Sequence, residues 1–201
     1  MNKNGIVYTI IFTFITAFFF VFFLALANDA TEELVEQNKI VSVQSSVLKS
    51  IGKLPEGGAS ISEAYSSEFD SVPVPGDTIK TNIAGEDVLI RYFSGSGLWG
   101  TITGILAVDG SVSRIIGLDI ISHNETPGLG GRIDEDWFKD QFKGERISSE
   151  GIKVVKGSGS ADGDTENASV DGVTGASLTS TSMETIINKE IDYLKTEEAV
   201  Q

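Results

Sequence analysis

The sequence predicts an α+β fold: an N-terminal transmembrane helix followed by a mainly antiparallel sheet with flanking helices. Three observations carry this expectation. Residues Ile6 to Leu26 form an uncharged apolar run of 21 residues. Residues 87 to 122 hold three β-type runs joined by tight, glycine-containing connections. From Leu178 to Leu194, apolar residues recur near helical spacing, at Leu178, Met183, Ile186, Ile187, Ile191 and Leu194. The expected organisation is an anchor at 1–27, a juxtamembrane helix or linker at 28–60, and an extracytoplasmic domain at 61–198.

Each element follows from local chemistry. At about 1.5 Å per residue, the apolar run spans the roughly 30 Å of a bilayer's hydrocarbon core. It is longer than the apolar segment of a signal peptide, although Ala25-Leu26-Ala27 resembles a cleavage site. Lys3 and the amino terminus, as the positive charges on the short side, predict a cytoplasmic N-terminus. Asp29 to Ile51 continues in helical style until Gly52, Pro55, Gly57 and Gly58 stop it. Ser62 to Phe69 reads as a short helix, and Val72-Pro-Val-Pro-Gly76 as a linker or edge segment. Asp87–Phe93, Trp99–Val108 and Val112–Ser122 read as an antiparallel meander, with Asp109-Gly110 as a hairpin turn. Asp134 to Phe142 reads as one short helix and Ile152 to Val155 as another strand. Gly157 to Asn167, rich in glycine, serine and acids, reads as a surface loop.

Composition narrows the function. The net charge of −14 repels phosphate backbones, so nucleic acid is not expected as a partner. The chain has no cysteine, which excludes disulfides, thiolate metal sites and cysteine nucleophiles. One histidine, His123, excludes multi-histidine zinc sites and weakens any serine-histidine-aspartate scheme. No metal ligand is singled out, and no catalytic residue is expected.

Four stretches invite a functional reading. Gly95-Ser-Gly97-Leu-Trp-Gly100 matches a dinucleotide fingerprint literally, but a β-type run follows it where a helix is required. It reads instead as a tight strand connection that presents Leu98 and Trp99. Asp162-Gly-Asp164-Thr-Glu166 spaces oxygens as some calcium loops do, yet lacks the closing glutamate, and reads as a solvated loop. His123 to Gly131 contains Pro127 and three glycines, the composition of a turn that brings backbone close to whatever docks there. Val170 to Ser180 places a glycine-rich turn before a helix start. There Ser177 is either an ordinary N-cap or a hydroxyl beside amides suited to a phosphate.

Gly97-Leu-Trp-Gly100, His123-x-Glu-Thr-Pro-Gly-Leu-Gly-Gly131 and Asp171-Gly-Val-Thr-Gly-Ala-Ser177, in this order and with the N-terminal span, resemble the FMN-binding domain family. The pattern is most similar to the NqrC type, from sodium-translocating NADH:quinone reductases, with the G-type member of the Rnf electron-transport complexes as a near relative. The resemblance covers nearly the whole chain, to about Leu194. It implies FMN joined through its phosphate to Ser177, within a signature that also contains Asp171, Thr174, Gly175 and Ala176. Serine stands where close family members often carry threonine. Leu178 and Thr179 would follow the attachment point, with Thr179 and Ser180 adding hydrogen bonds to the phosphate. Leu98 and Trp99, with Glu125, Thr126, Gly128, Leu129 and Gly130, would lie near the isoalloxazine ring. Implied partners are the other subunits of a membrane NADH:quinone reductase, an FAD:protein FMN transferase and the lipid bilayer. The implied work is electron transfer outside the cytoplasm, in a complex that exports sodium. A free-standing flavin carrier and a non-redox anchored binding domain are the alternatives.

Overall fold

The computed structural model describes residues 5–55, 60–157 and 161–199. Lys3, Gly57, Gly58 and residues 158–160 of the expected loop lie outside them. The chain divides into two compact units, residues 1–40 and 41–201.

In the first unit the apolar run and the acidic stretch after it belong to one helix, α1 (Ile6–Ser50). Neither glycine nor proline interrupts it. Between Ile6 and Leu26 its large apolar side chains are exposed, a surface that water does not tolerate and lipid does. This helix is long and apolar enough to cross a membrane.

The second unit starts at Val41, about twenty residues before the expected boundary, because the last turns of α1 supply Val43, Val47 and Leu48 to its core. The helix stops where Gly52 adopts φ +69. Gly52 N–H bonds Lys49 O at 3.1 Å and Lys53 N–H bonds Leu48 O at 2.8 Å, the paired closure of a Schellman motif. A short helix follows, α2 (Ile61–Ser66), capped by Ser60.

The sheet is an antiparallel meander of four strands: β1 (Thr78–Ile83), β2 (Glu86–Ser96), β3 (Thr101–Asp109) and β4 (Ile115–Ser122). The sequence pattern anticipates three of them. Strand β1 escapes it because its six residues alternate only weakly and lie at the sheet edge, where none is fully buried. Ala84 and Gly85, both at positive φ, make the two-residue turn into β2.

Both faces of this sheet are covered. Val88, Ile90 and Tyr92 pack toward the end of α1 and α2, whereas Leu89 and Phe93 pack toward the C-terminal helix. That is why β2 reads as a continuous buried run instead of alternating with polar residues. The expected helix at Asp134–Phe142 is broken into a 3-10 turn (Gly130–Asp134), a single α turn, α3 (Asp136–Lys139), and a second 3-10 turn (Asp140–Phe142). Glu135, held extended at ψ 143, interrupts the helical path.

Two short strands, β5 (Lys153–Val155) and β6 (Ser169–Asp171), pair in parallel outside the main sheet. Strand β6 leads through a turn into α4 (Ser177–Ala199). The apolar stripe expected on α4 is buried from Met183 to Leu194, but Leu178 is left in solvent.

Candidate functional site

The site is built where β6 hands the chain to α4. Strand β6 is pinned by one buried side chain. The Gln141 amide accepts Asp171 N–H at 2.8 Å and donates to Asp171 O at 3.2 Å. The Asp171 carboxylate lies against Gly157, where any side chain would collide with it. Gly172 N–H then bonds Val155 O at 2.7 Å, closing the strand pair. Gly175 sits at φ +81, a conformation that L-residues rarely adopt, and so turns the chain sharply into the helix.

The helix begins at Ser177, which places Ala176 rather than Ser177 in the capping position. Ser180 ties the preceding turn to the helix instead. Its hydroxyl accepts Val173 N–H at 3.0 Å and donates to Ala176 O at 3.0 Å. Among the described residues, the Ser177 hydroxyl has no hydrogen-bond partner, and the residue is exposed. Around it stand the N–H groups that a helix start leaves unpaired, together with their partial positive charge.

Ser177 and Gly175 lie between two clefts. One, of about 410 Å³, brings together residues from three distant parts of the chain. Leu98 and Trp99 come from the β2–β3 connection, and Glu125, Thr126, Leu129 and Gly130 from the segment after β4. Ala176, Ser177, Leu178 and Thr179 complete it from the start of α4. Its rim is unusual for a water-exposed surface: Leu98, Trp99, Leu129 and Leu178 are 46%, 68%, 48% and 64% exposed. Its floor is polar. Glu125 is buried, and its carboxylate accepts Trp99 N–H at 3.0 Å and Thr179 Oγ–H at 2.6 Å.

The second cleft, of about 220 Å³, is lined by Val154 to Gly157, by the turn from Gly172 to Gly175, and by Ser177, Ser180 and Thr181. Thr174 belongs here and not to the first cleft. Asp171 and Gly128 line neither. Asp171 closes β6, where Gln141 holds its backbone, and Gly128, at φ +74, makes the turn that presents Leu129. The hydroxyls of Thr179 and Ser180, expected to face a phosphate, are bonded within the protein instead. Sequence reasoning missed Gln141, Lys156 and Gly157. Gln141 carried no signal, but the Lys-Val-Val-Lys alternation beside a glycine marked a strand end that presents a lysine.

The Gly95–Gly100 stretch is a hairpin connection between antiparallel strands, as its β-type sequel required. Among the described residues, no cluster of histidine and acids suited to a metal ion occurs.

Known proteins share this outline. Residues 97–192 match the profile of the FMN-binding domain family. The chain is 34% identical over 106 residues to the C subunit of Na(+)-translocating NADH-quinone reductase from Pseudomonas aeruginosa, covering 51% of this chain and 41% of that protein. It is 32% identical over 117 residues to the protein of the same name from Chlamydia muridarum, covering 50% and 37%. The chain thus spans about two fifths of the length of these curated relatives. The crystal structure of the same reductase component from Parabacteroides distasonis superposes with a TM-score of 0.63 at 26% identity, covering 82% of this chain and 95% of the other. That of Shewanella oneidensis NqrC gives 0.63 at 18%, covering 82% and 100%, a likeness of fold.

Proposed function

We propose that the protein, whose residues 97–192 match the FMN-binding domain family, is a covalently flavinylated, membrane-anchored electron-transfer subunit of a sodium-translocating NADH:quinone reductase. One observation carries the attachment point: Ser177 offers an exposed, uncommitted hydroxyl at a helix start, inside the Asp171-Gly-Val-Thr-Gly-Ala-Ser signature.

The residues present suit FMN in both its parts. The open, apolar-rimmed cleft matches a planar aromatic ring, which Leu98, Trp99, Leu129 and Leu178 would cover. The α4 N-terminus matches a phosphate, whose charge its free N–H groups and dipole would hold. Thr126, Gly130 and Ala176 shape the walls, Gly128 and Gly175 the turns, and Asp171 ends the strand that leads in, its backbone held by Gln141. Bound FMN supplies the redox chemistry. The protein's share is to tether the cofactor, orient it and exclude water from one face. Ser177 Oγ is the acceptor in an attachment carried out by an FAD:protein FMN transferase, with AMP leaving. A phosphoester tether suits a carrier outside the cytoplasmic membrane, where lost FMN is not readily replaced.

The names of the relatives support the reductase over an Rnf-type or free-standing carrier. In that complex the chain would meet the other subunits. Sodium export would belong to the assembly, because the apolar run of α1 carries no intramembrane charge and is an anchor, not a path.

Intact mass of the full chain co-produced with the transferase tests the attachment. An added flavin-phosphoryl mass of on the order of 440 Da is expected, absent in Ser177→Ala. An adduct that persists in Ser177→Ala and disappears in Thr174→Ala would transfer the role to the other exposed hydroxyl of the turn.

A further inference from the structure

Among the described residues, Glu125 is the one ionisable side chain that lines the larger cleft, and it joins two of the segments that form it. Its residue is 3% exposed. Oε1 accepts Trp99 N–H at 3.0 Å and Oε2 accepts Thr179 Oγ–H at 2.6 Å. Acceptance at both oxygens is the pattern of an ionised carboxylate, and both donors are uncharged. The backbone is shaped to admit it. A Cβ on Gly97 would stand 2.5 Å from Oε1, and one on Gly130 would stand 2.8 Å from Oε2 and 2.5 Å from Thr179 Oγ1. Two segments, at Gly97 and Gly130, thus leave side-chain room around one buried charge.

We propose that Glu125 is a positioning residue that also acts through its charge. It aligns the Trp99 tip with the start of α4, and its unneutralised carboxylate lowers the reduction potential of flavin held in the cleft. This rests on the reading that the ring occupies the cleft. Reduction delivers electrons to the ring, and any part of that charge not matched by proton uptake is repelled by a carboxylate in a poorly solvated floor. The bias favours a flavin that passes electrons onward.

The structure supplies a discriminating variant. In Glu125→Gln the amide oxygen keeps the Trp99 N–H bond, and the amide nitrogen donates to Thr179 Oγ1 instead, so the clamp survives without its charge. The full chain, flavinylated and in detergent, is titrated with dithionite as the electron source and water as the proton source. Glu125→Gln is expected to shift the two-electron reduction equilibrium at least tenfold toward the reduced form, about 30 mV upward. Glu125→Asp, which keeps the charge, is expected to shift it much less. Equal shifts in both variants, or none in Glu125→Gln, would overturn the proposal.

Trp99→Ala tests the underlying reading separately. If it leaves the flavin absorption and fluorescence unchanged, the ring lies elsewhere and the cleft assignment fails. If the spectra change while Glu125→Gln leaves the potential in place, only the role of Glu125 fails. Should Glu125→Gln not accept flavin, the unloaded chain decides. A circular-dichroism melt unchanged from the parent supports a positioning role at the cleft, and a collapsed melt reduces Glu125 to a structural residue and overturns the proposal.

Discussion

Four hydroxyls stand on the first five residues of α4, and hydrogen bonding sorts them. Thr179 is bonded to Glu125, Ser180 spans Val173 N–H and Ala176 O, and Thr181 donates to Ser177 O at 3.0 Å. Ser177 alone of the four keeps its hydroxyl uncommitted among the described residues, which separates it from its neighbours without reference to any motif. The same scale carries a pH effect elsewhere in the domain. Burial pushes the Glu145 carboxyl above its ordinary range; N–H bonds from Ala168 and Ser169 oppose this, and the nearby Asp162 and Asp164 add to it. Because the folded value is raised, the folded state holds the proton longer than the unfolded one. Stability contributed by this group is present below the ordinary glutamate value of about 4.3 and declines as pH rises toward the folded value. Urea unfolding of Glu145→Gln and the parent is therefore expected to diverge as pH rises from about 4 to 7, in favour of the variant. A stability difference that stays constant across that range would contradict the assignment.

At the scale of elements, α4 is bound to β2 by a charged contact inside an apolar interface. Arg91 Nε lies 2.7 Å from Glu190 Oε2, both side chains are buried, and the guanidinium rests 3.9 Å from the centre of the Tyr193 ring. Arg91 Nη1 also donates to Gly76 O and, at 3.1 Å, to Thr78 Oγ1, so the same side chain holds the lead into β1. Such a pair gains little over an apolar replacement but is costly to halve. Glu190→Ala is expected to destabilise the domain by about 3–5 kcal/mol, measured by denaturant midpoint. The double variant Arg91→Met, Glu190→Leu is expected to recover most of that. A second charged contact ties α1 to α3 and β4 inside the second unit. Lys139 Nζ lies 3.0 Å from Asp119 and 3.2 Å from Asp134, and Lys49 reaches Asp119 at 3.3 Å. Burial opposes the charge on Lys139, but the surrounding carboxylates prevail and hold its pKa above the ordinary range.

At the scale of the whole molecule, the absence of cysteine offers a clean test of topology. A single cysteine placed at the exposed Asp164 is expected to react with a membrane-impermeant maleimide in intact cells, with the chain in the membrane fraction. Labelling only after lysis would reverse the orientation read from Lys3. Much of this architecture was legible in sequence. The apolar run, the meander, the buried stripe of α4 and the three motifs of the site each depend on local spacing, which a linear chain displays. The missed features depend on neighbours far along the chain. The end of α1 reads as a juxtamembrane helix or linker, with no sign that the sheet covers it, and the edge strand β1 forms only because β2 offers a partner. Gln141 gains its role only when β6 arrives thirty residues later. Leu178 shows the reverse case: its spacing suits the core, yet the turn at Gly175 aims it at the cleft. By itself the sequence determined the long apolar helix, the three meander strands and the α4 stripe, because these follow from local periodicity and turn chemistry, and it displayed the three motifs that carry the family resemblance. Only the tertiary structure decided which hydroxyl stays uncommitted and which carboxylate lies buried beneath the cleft, because both depend on hydrogen-bond partners brought together by folding.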